Sequence, residues 1–235
     1  MVTIQFLEGV EMATRTIYLI RHGQHQGIPS DKYKLNDLTL EQRIKLGLKE
    51  AGLTSIGIEQ AKRTAQKFSS FPINAIHCSS LRRAAETAEI IAREFPGVPL
   101  RRSQILWECM PSVPPSLTEQ YAQVPTETMD RLKKQAESAF DRYFKCARGN
   151  DKHEIIVAHG NILRYFVYRV LQVQPEVWVK MGSCNCGISE ILVKPDGSMM
   201  LVSYNDVGHL PYYLTTCLGA KKHVPQVAEV EPRTT

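Results

Sequence analysis

Two short stretches hold residue types that can do chemistry at a strand end. "YLIRHGQHQG", Tyr18 to Gly27, runs from an apolar segment directly into Arg21, His22 and Gly23. "EIIVAHGNILRYFVYRVL", Glu154 to Leu171, repeats the pattern, with His159 and Gly160 closing the apolar run. Aromatic and branched residues without a polar break suit a buried strand, and such a strand ordinarily leaves the core through turn residues. Arg-His is not a turn pair. An imidazole beside a fixed guanidinium has its charged form disfavoured, and the neutral ring is a nucleophile. The guanidinium binds oxyanions through planar, paired donors. Together they suit attack on a phosphate ester. Taken alone, Arg-His-Gly also reads as coil with a surface histidine, the plainer reading.

A third stretch, "CSSLRRAAETAEII", Cys78 to Ile91, places Arg82 and Arg83 in the first turn of a helix. Cations there oppose the helix macrodipole and are better tolerated if they hold an anion. The other reading has both pointing into solvent.

These residues need elements to position them. Strands are expected over 16–20, 74–78, 154–158, 188–193 and 199–204, the last two joined by Pro195-Asp196-Gly197. One helix starts at Thr54, a good N-cap. A second follows a cap at Ser79 or Ser80, carries an apolar stripe from Leu81 through Phe95, and ends at Pro96-Gly97. A third covers Thr126 to Ala147, and a fourth, very apolar, follows His159. This alternation predicts an α/β fold, a three-layer sandwich with a mostly parallel central sheet and helices on both faces. Ligands bind such sheets at the carboxyl ends of the strands, so His22 and His159 are expected to face one pocket.

The chain has 235 residues, enough for one domain of this kind. We place that domain over 1–222, with an inserted segment near 28–52 that holds a short helix, and a tail over 223–235. The formal charge is +5, but the basic residues are scattered in pairs such as Arg101-Arg102 and Lys221-Lys222. There is no long basic run and no aromatic-basic RNA motif, so no nucleic-acid partner is expected. The apolar runs are too short for a bilayer span, and Glu8 and Glu11 argue against a targeting start, so no membrane partner is expected. Six cysteines form no paired metal sets, and Cys184-x-Cys186 alone is a weak signal. The expectation is a cytoplasmic protein with reduced, mostly buried thiols. No metal or cofactor is expected, and homo-oligomerisation is left open.

The ordered set of motifs resembles the histidine phosphatase superfamily, also called phosphoglycerate mutase-like. It comprises Arg21-His22-Gly23, Leu53-Thr54-x-x-Gly57-x-x-Gln60-Ala61, Ser79-x-Leu81-x-Arg83-Ala84-x-x-Thr87-Ala88, His159-Gly160 and "NCGISEI", Asn185 to Ile191. Within it, the proline-rich run after Glu108, the His159 helix and "KPDG" look most like the phosphoglycerate mutase-like serine/threonine-protein phosphatases. That branch is mitochondrial and membrane-anchored. No anchor-like segment is read here, so its location is not carried over.

The resemblance implies metal-independent phosphomonoester hydrolysis. His22 matches the residue that becomes phosphorylated. Arg21, Arg83 and a protonated His159 match the phosphate clamp, with backbone N–H groups near Gly160 as further donors. Glu108, in "ILWECMPSVPPS", takes the place of the proton donor, kept protonated by anionic neighbours or by burial. Without the motifs it reads as a surface glutamate beside Trp107. Should Glu108 fail, Asp31 and Asp37 are the first replacements. The substrate is a phosphoprotein or a small phosphorylated molecule. Two rivals stand beside this reading. A phosphoglycerate mutase usually continues Arg-His-Gly with a Glu-Ser-x-x-Asn-like sequence, where this chain has Gln24-His25-Gln26-Gly27. A non-catalytic phosphate-binding module would lack His22, Arg83 or His159. Among the remaining histidines, His25 is expected near the pocket, His77 and His209 in structural roles, and His153 and His223 exposed.

Overall fold

A computed structural model of the chain describes residues 12–26, 51–110, 112 and 125–217. Most of the inserted segment, Asp31, Asp37 and the C-terminal tail with His223 lie outside the described residues.

In chain order the elements are β1 (Met12–Ala13), β2 (Arg15–Arg21), α1 (Ser55–Phe68), β3 (Ala75–Ser79), α2 (Arg82–Ala92), β4 (Leu100–Ser103) and α3 (Thr126–Tyr143). Then come β5 (Ala147–Arg148), β6 (Lys152–Ala158), α4 (Gly160–Leu171), β7 (Ile188–Val193) and β8 (Met199–Asp206). Six strands form the central sheet in the order β4-β3-β6-β2-β7-β8. The first four run parallel, and β7 and β8 join antiparallel. The expected three-layer α/β sandwich is therefore the observed one.

Side-chain alternation along β2 and β6 divides the core between two faces. Ile17, Leu19, Ile156 and Ala158 pack against Phe140 of α3 and Phe166 of α4. Tyr18, Ile20, Ile155 and Val157 pack against Phe68 of α1 and Ala84, Ala88 and Ile91 of α2. Both faces are covered, which is why these strands read as unbroken apolar runs.

The expected element boundaries shift in several places. α2 is capped by Leu81 without a side-chain bond, because the Ser79 hydroxyl is drawn instead to the Leu81 amide at 3.2 Å and the His159 ring at 2.8 Å. α2 also ends at Ala92, before Pro96-Gly97. α3 ends at Tyr143, and Ala147 pairs with Ala13 in a two-stranded ribbon instead of continuing the helix. β4, "LRRS", was hidden from periodicity by its two arginines; its pairing with β3 is long-range. His153 is half-buried rather than exposed, its Nδ1 lying 3.1 Å from the Tyr18 hydroxyl.

The glycines of the motifs have a steric reason. The loop after β2 presses against the first turn of α1. A Cβ on Gly57 would lie 2.0 Å from the Gln24 carbonyl oxygen, and one on Gly23 would lie 2.6 Å from the Gly57 carbonyl oxygen. Both obstacles are backbone and cannot swing aside. Thr54 locks the same junction, accepting from the Gly57 amide at 3.0 Å and donating to Gln24 Oε1 at 2.8 Å. Gly57→Ala is therefore expected to force the loop after β2 and α1 apart, at a cost of about 1–3 kcal/mol or more on the scale of overpacking. A thermal midpoint unchanged from the parent chain would contradict this contact.

Candidate active site

Parallel β2, β3 and β6 bring three strand ends to one edge of the sheet. Arg21 ends β2, Ser79 ends β3, and His159 follows β6. The His22 amide donates to the Ala158 carbonyl at 3.0 Å, so the two His-Gly turns are held side by side. The rings of His22 and His159 then lie 5.1 Å apart, so the two strand ends meet at one place.

His22 is 3% exposed, and its hydrogen bonds define its tautomer. Nδ1 lies 2.8 Å from the Gly23 carbonyl, which can only accept, so Nδ1 carries the proton. Arg83 Nε, which can only donate, lies 3.1 Å from Nε2. Nε2 is therefore the nitrogen with the free electron pair. Burial holds the ring well below the usual histidine pKa, and His159, Arg21 and Arg83 push in the same direction. The neutral state expected from Arg21 is present, but desolvation is its larger cause. Asn185 steadies the turn by donating to the His22 carbonyl at 2.9 Å.

Arg83 is buried and points inward, while its neighbour Arg82 is exposed and bonds Glu86 at 2.7 Å. Arg21 donates to the Ser183 carbonyl at 2.6 Å; burial lowers it to about 10, so it remains a cation at neutral pH. His159 is fully buried, and burial, Arg83 and Arg21 hold it well below the usual range. The protonated His159 implied by the resemblance is therefore corrected to a neutral one in the free protein. Its Nε2 meets Ser79 Oγ at 2.8 Å, and its Nδ1 has no hydrogen-bond partner among the described residues.

Glu108 joins this group from the chain after β4. Its Oε1 accepts from the Cys109, Asn161 and Ile162 amides at 3.2, 3.1 and 3.4 Å. The two amides just beyond Gly160 thus hold Glu108. Burial raises the Glu108 pKa above its usual value, against the opposing pull of Arg83, Arg21 and the amides. Its surroundings are cationic, not anionic as one expectation had it, so desolvation alone favours the protonated form. Because three N–H donors occupy Oε1, a bound proton resides on Oε2.

Ser79, Thr87 and Asn185 appear in the sequence only as motif positions with no role assigned in the site, and Arg164 is not singled out there. Thr87 accepts from the Gly23 amide at 3.0 Å and donates to the Arg83 carbonyl at 2.7 Å, tying the two motifs together. Ser79 and Asn185 brace His159 and His22, as described above. Arg164, 8% exposed in the apolar α4, lies close enough to Arg21 to lower its pKa. Of the two arginines in this apolar helix, Arg164 is the buried one and Arg169 is exposed, a difference that the sequence alone does not mark. His25 places its ring 5.1 Å from that of His22, as expected for a pocket residue. His77 is buried against Tyr143, and His209 bonds Thr64 at 3.0 Å; both are structural. Among the described residues, no group of three His, Cys, Asp or Glu side chains forms a metal-binding cluster. No helix among them is long and apolar enough to cross a membrane.

The expectation of reduced thiols fails at one place. Cys184 and Cys217 form a disulfide, because Cys184 and Cys217 are bridge partners at the edge of the site. The pairing is long-range and left no mark in the spacing.

The model of the histidine phosphatase superfamily (branch 1) matches residues 17–113 and 114–207. The Homo sapiens protein named serine/threonine-protein phosphatase PGAM5, mitochondrial, is 33% identical over 205 residues, covering 85% of this chain and 65% of that protein. The Caenorhabditis elegans protein of the same name is 32% identical over 204 residues, covering 85% and 65%. The chain thus spans about 65% of the length of these relatives. Among solved structures, a Plasmodium falciparum phosphoglycerate mutase aligns with a TM-score of 0.55 at 25% identity, covering 85% of this chain and 96% of that one. An Entamoeba histolytica phosphoserine phosphatase aligns with a TM-score of 0.59 at 20% identity, covering 84% and 100%. The expectation of a cytoplasmic protein is overturned by these relatives, which are named as mitochondrial.

Proposed function

We propose that this chain, which belongs to branch 1 of the histidine phosphatase superfamily, hydrolyses phosphate monoesters through a covalent phosphohistidine on His22. The observation that carries the reading is the tautomer of His22: a buried neutral ring presents the Nε2 electron pair among Arg21, Arg83 and His159.

In the first step the Nε2 pair forms a bond to phosphorus and the bond from phosphorus to the ester oxygen breaks. Glu108 Oε2 gives its proton to the departing oxygen. In the second step the Glu108 carboxylate takes a proton from water, the water oxygen attacks phosphorus, and the P–N bond returns its electrons to His22. Covalent catalysis divides one hard displacement into two easier ones. Arg21 and Arg83 neutralise the oxygens in transit, and Arg83 Nε turns from His22 to the phosphoryl group as the ring is used. Ser79 can donate a hydrogen bond from its hydroxyl to His159 Nε2, which leaves Nδ1–H of the neutral ring as a phosphate donor. A neutral clamp costs less to bury than a third cation.

For the substrate class we favour phosphoserine or phosphothreonine in a protein, because the two relatives above are named serine/threonine-protein phosphatases. Glu108 provides the test. A serine alkoxide is a poor leaving group and needs a proton as the bond breaks, whereas p-nitrophenolate needs little help. Glu108→Gln keeps the size and the hydrogen bonds but cannot act as an acid. It is expected to slow single-turnover phosphorylation by a phosphoserine peptide about 10²–10⁴-fold, the usual worth of general acid catalysis, and to slow p-nitrophenyl phosphate much less. Equal, small effects on both esters would remove Glu108 from the mechanism.

A further inference from the structure

The fold gathers charges that are scattered in the sequence. Arg15 opens β2, and Lys152, its register partner, opens β6. Arg142 lies in the last turn of α3, Lys145 just beyond it, and Arg148 in β5. These five cations, with the single carboxylate Glu154, line a cavity of about 580 Å³. The cavity sits at the amino ends of the strands whose carboxyl ends carry His22 and His159. β2 alone separates the two places by about 20 Å, six residue steps at roughly 3.3 Å each.

Five cations against one carboxylate leave an excess of four, beside a formal charge of +5 for the entire chain. Arg15 bonds Glu154 at 3.0 Å, while Arg142, Lys145, Arg148 and Lys152 have no carboxylate within ion-pair distance among the described residues. The carboxyl end of α3 contributes about half a negative charge, which leaves most of the excess in place. A surface that only needed to be soluble would interleave its signs. A concave site of a few hundred Å³ is the size that holds a small ligand, and low-dielectric walls focus its field. One phosphate would neutralise about half of the excess. Phe144, buried at the wall, adds an apolar face.

We propose that this cavity is a binding site for a small ligand bearing two or more phosphate groups, separate from the catalytic centre. The assignment does not depend on the phosphatase reading.

The test is isothermal titration with inorganic triphosphate at physiological salt, with His22→Ala in every protein to prevent turnover. Saturable binding is expected. It should persist when Arg83→Ala is added and weaken at least tenfold when Arg142→Glu and Arg148→Glu are added together. Both reversed residues are exposed, so the fold should survive. The double variant in the parent chain should retain its activity on p-nitrophenyl phosphate, which checks folding. Should it misfold, Lys145→Gln with Lys152→Gln gives a milder pair, with the same weakening expected. Equal affinity for ATP and triphosphate would assign recognition to the phosphates alone, and tighter ATP binding would add the nucleoside at Phe144. Binding that survives both paired variants, or disappears with Arg83→Ala, would overturn the site. So would tighter binding of a hexaglutamate peptide than of triphosphate, or no saturation below millimolar concentration.

Discussion

His22→Ala is expected to lower turnover of every phosphate monoester on the order of 10⁶-fold, the scale on which loss of the nucleophile acts in a covalent hydrolase. The loss should be the same for phosphoserine peptides and for p-nitrophenyl phosphate, because both must pass through the same P–N bond. It should also be separable from folding. The ring sits among Arg21, Arg83 and His159; among the described residues its hydrogen bonds are those to its neighbour's carbonyl and to Arg83 Nε, so its removal breaks one long-range contact there. The His22 backbone stays held through the Ala158 carbonyl and the Asn185 side chain. A variant with an unchanged thermal midpoint and residual activity within tenfold of the parent would place the chemistry elsewhere.

Arg83→Ala should follow, at about 10²–10³-fold in kcat, the usual effect of removing one preorganised donor from a developing charge. Arg82→Ala should have little effect. Adjacent helical side chains point about 100° apart. That angle sends Arg83 into the buried site and Arg82 to an exposed pair with Glu86. Exposed i,i+4 pairs are worth only about 0.3–0.5 kcal/mol. Arg83→Lys provides a control, since it keeps charge but loses the fixed planar donors and should recover only part of the loss. If Arg82→Ala proved the more damaging change, the helical register assigned to the phosphate clamp would be wrong.

Local patterns made much of this fold legible. β2 and β6 lie within two residues of their expected bounds, and α1 and α4 start where expected, because buried strands and a Thr-capped amphipathic helix leave strong marks in the chain. The pairing of His22 with His159 followed from one topological rule about strand ends. Features set by distant residues were not legible. Whether Ser79 caps α2 or serves His159 depends on a residue 80 positions away along the chain. The neutral state of His159 depends on burial, which no motif reports. The strand around Arg101 and Arg102, the Cys184–Cys217 disulfide and the cationic cavity at Arg15 and Arg148 all come from long-range pairing. Charge counted along the sequence reads as scattered; in space, five cations and one carboxylate meet around one cavity.

The central claim is the bond between phosphorus and His22, and trapping it is the most direct test. The protein should be mixed briefly with a radiolabelled phosphoserine peptide labelled at phosphorus, quenched in alkali, and separated from free label. Protein-bound label is expected to survive alkali, to be released by mild acid as orthophosphate, and to map to the peptide containing His22. Glu108→Gln should raise the trapped fraction if hydrolysis of the P–N bond becomes the slower step. Label that is stable to acid, or that appears unchanged in His22→Ala, would rule out a phosphohistidine at His22.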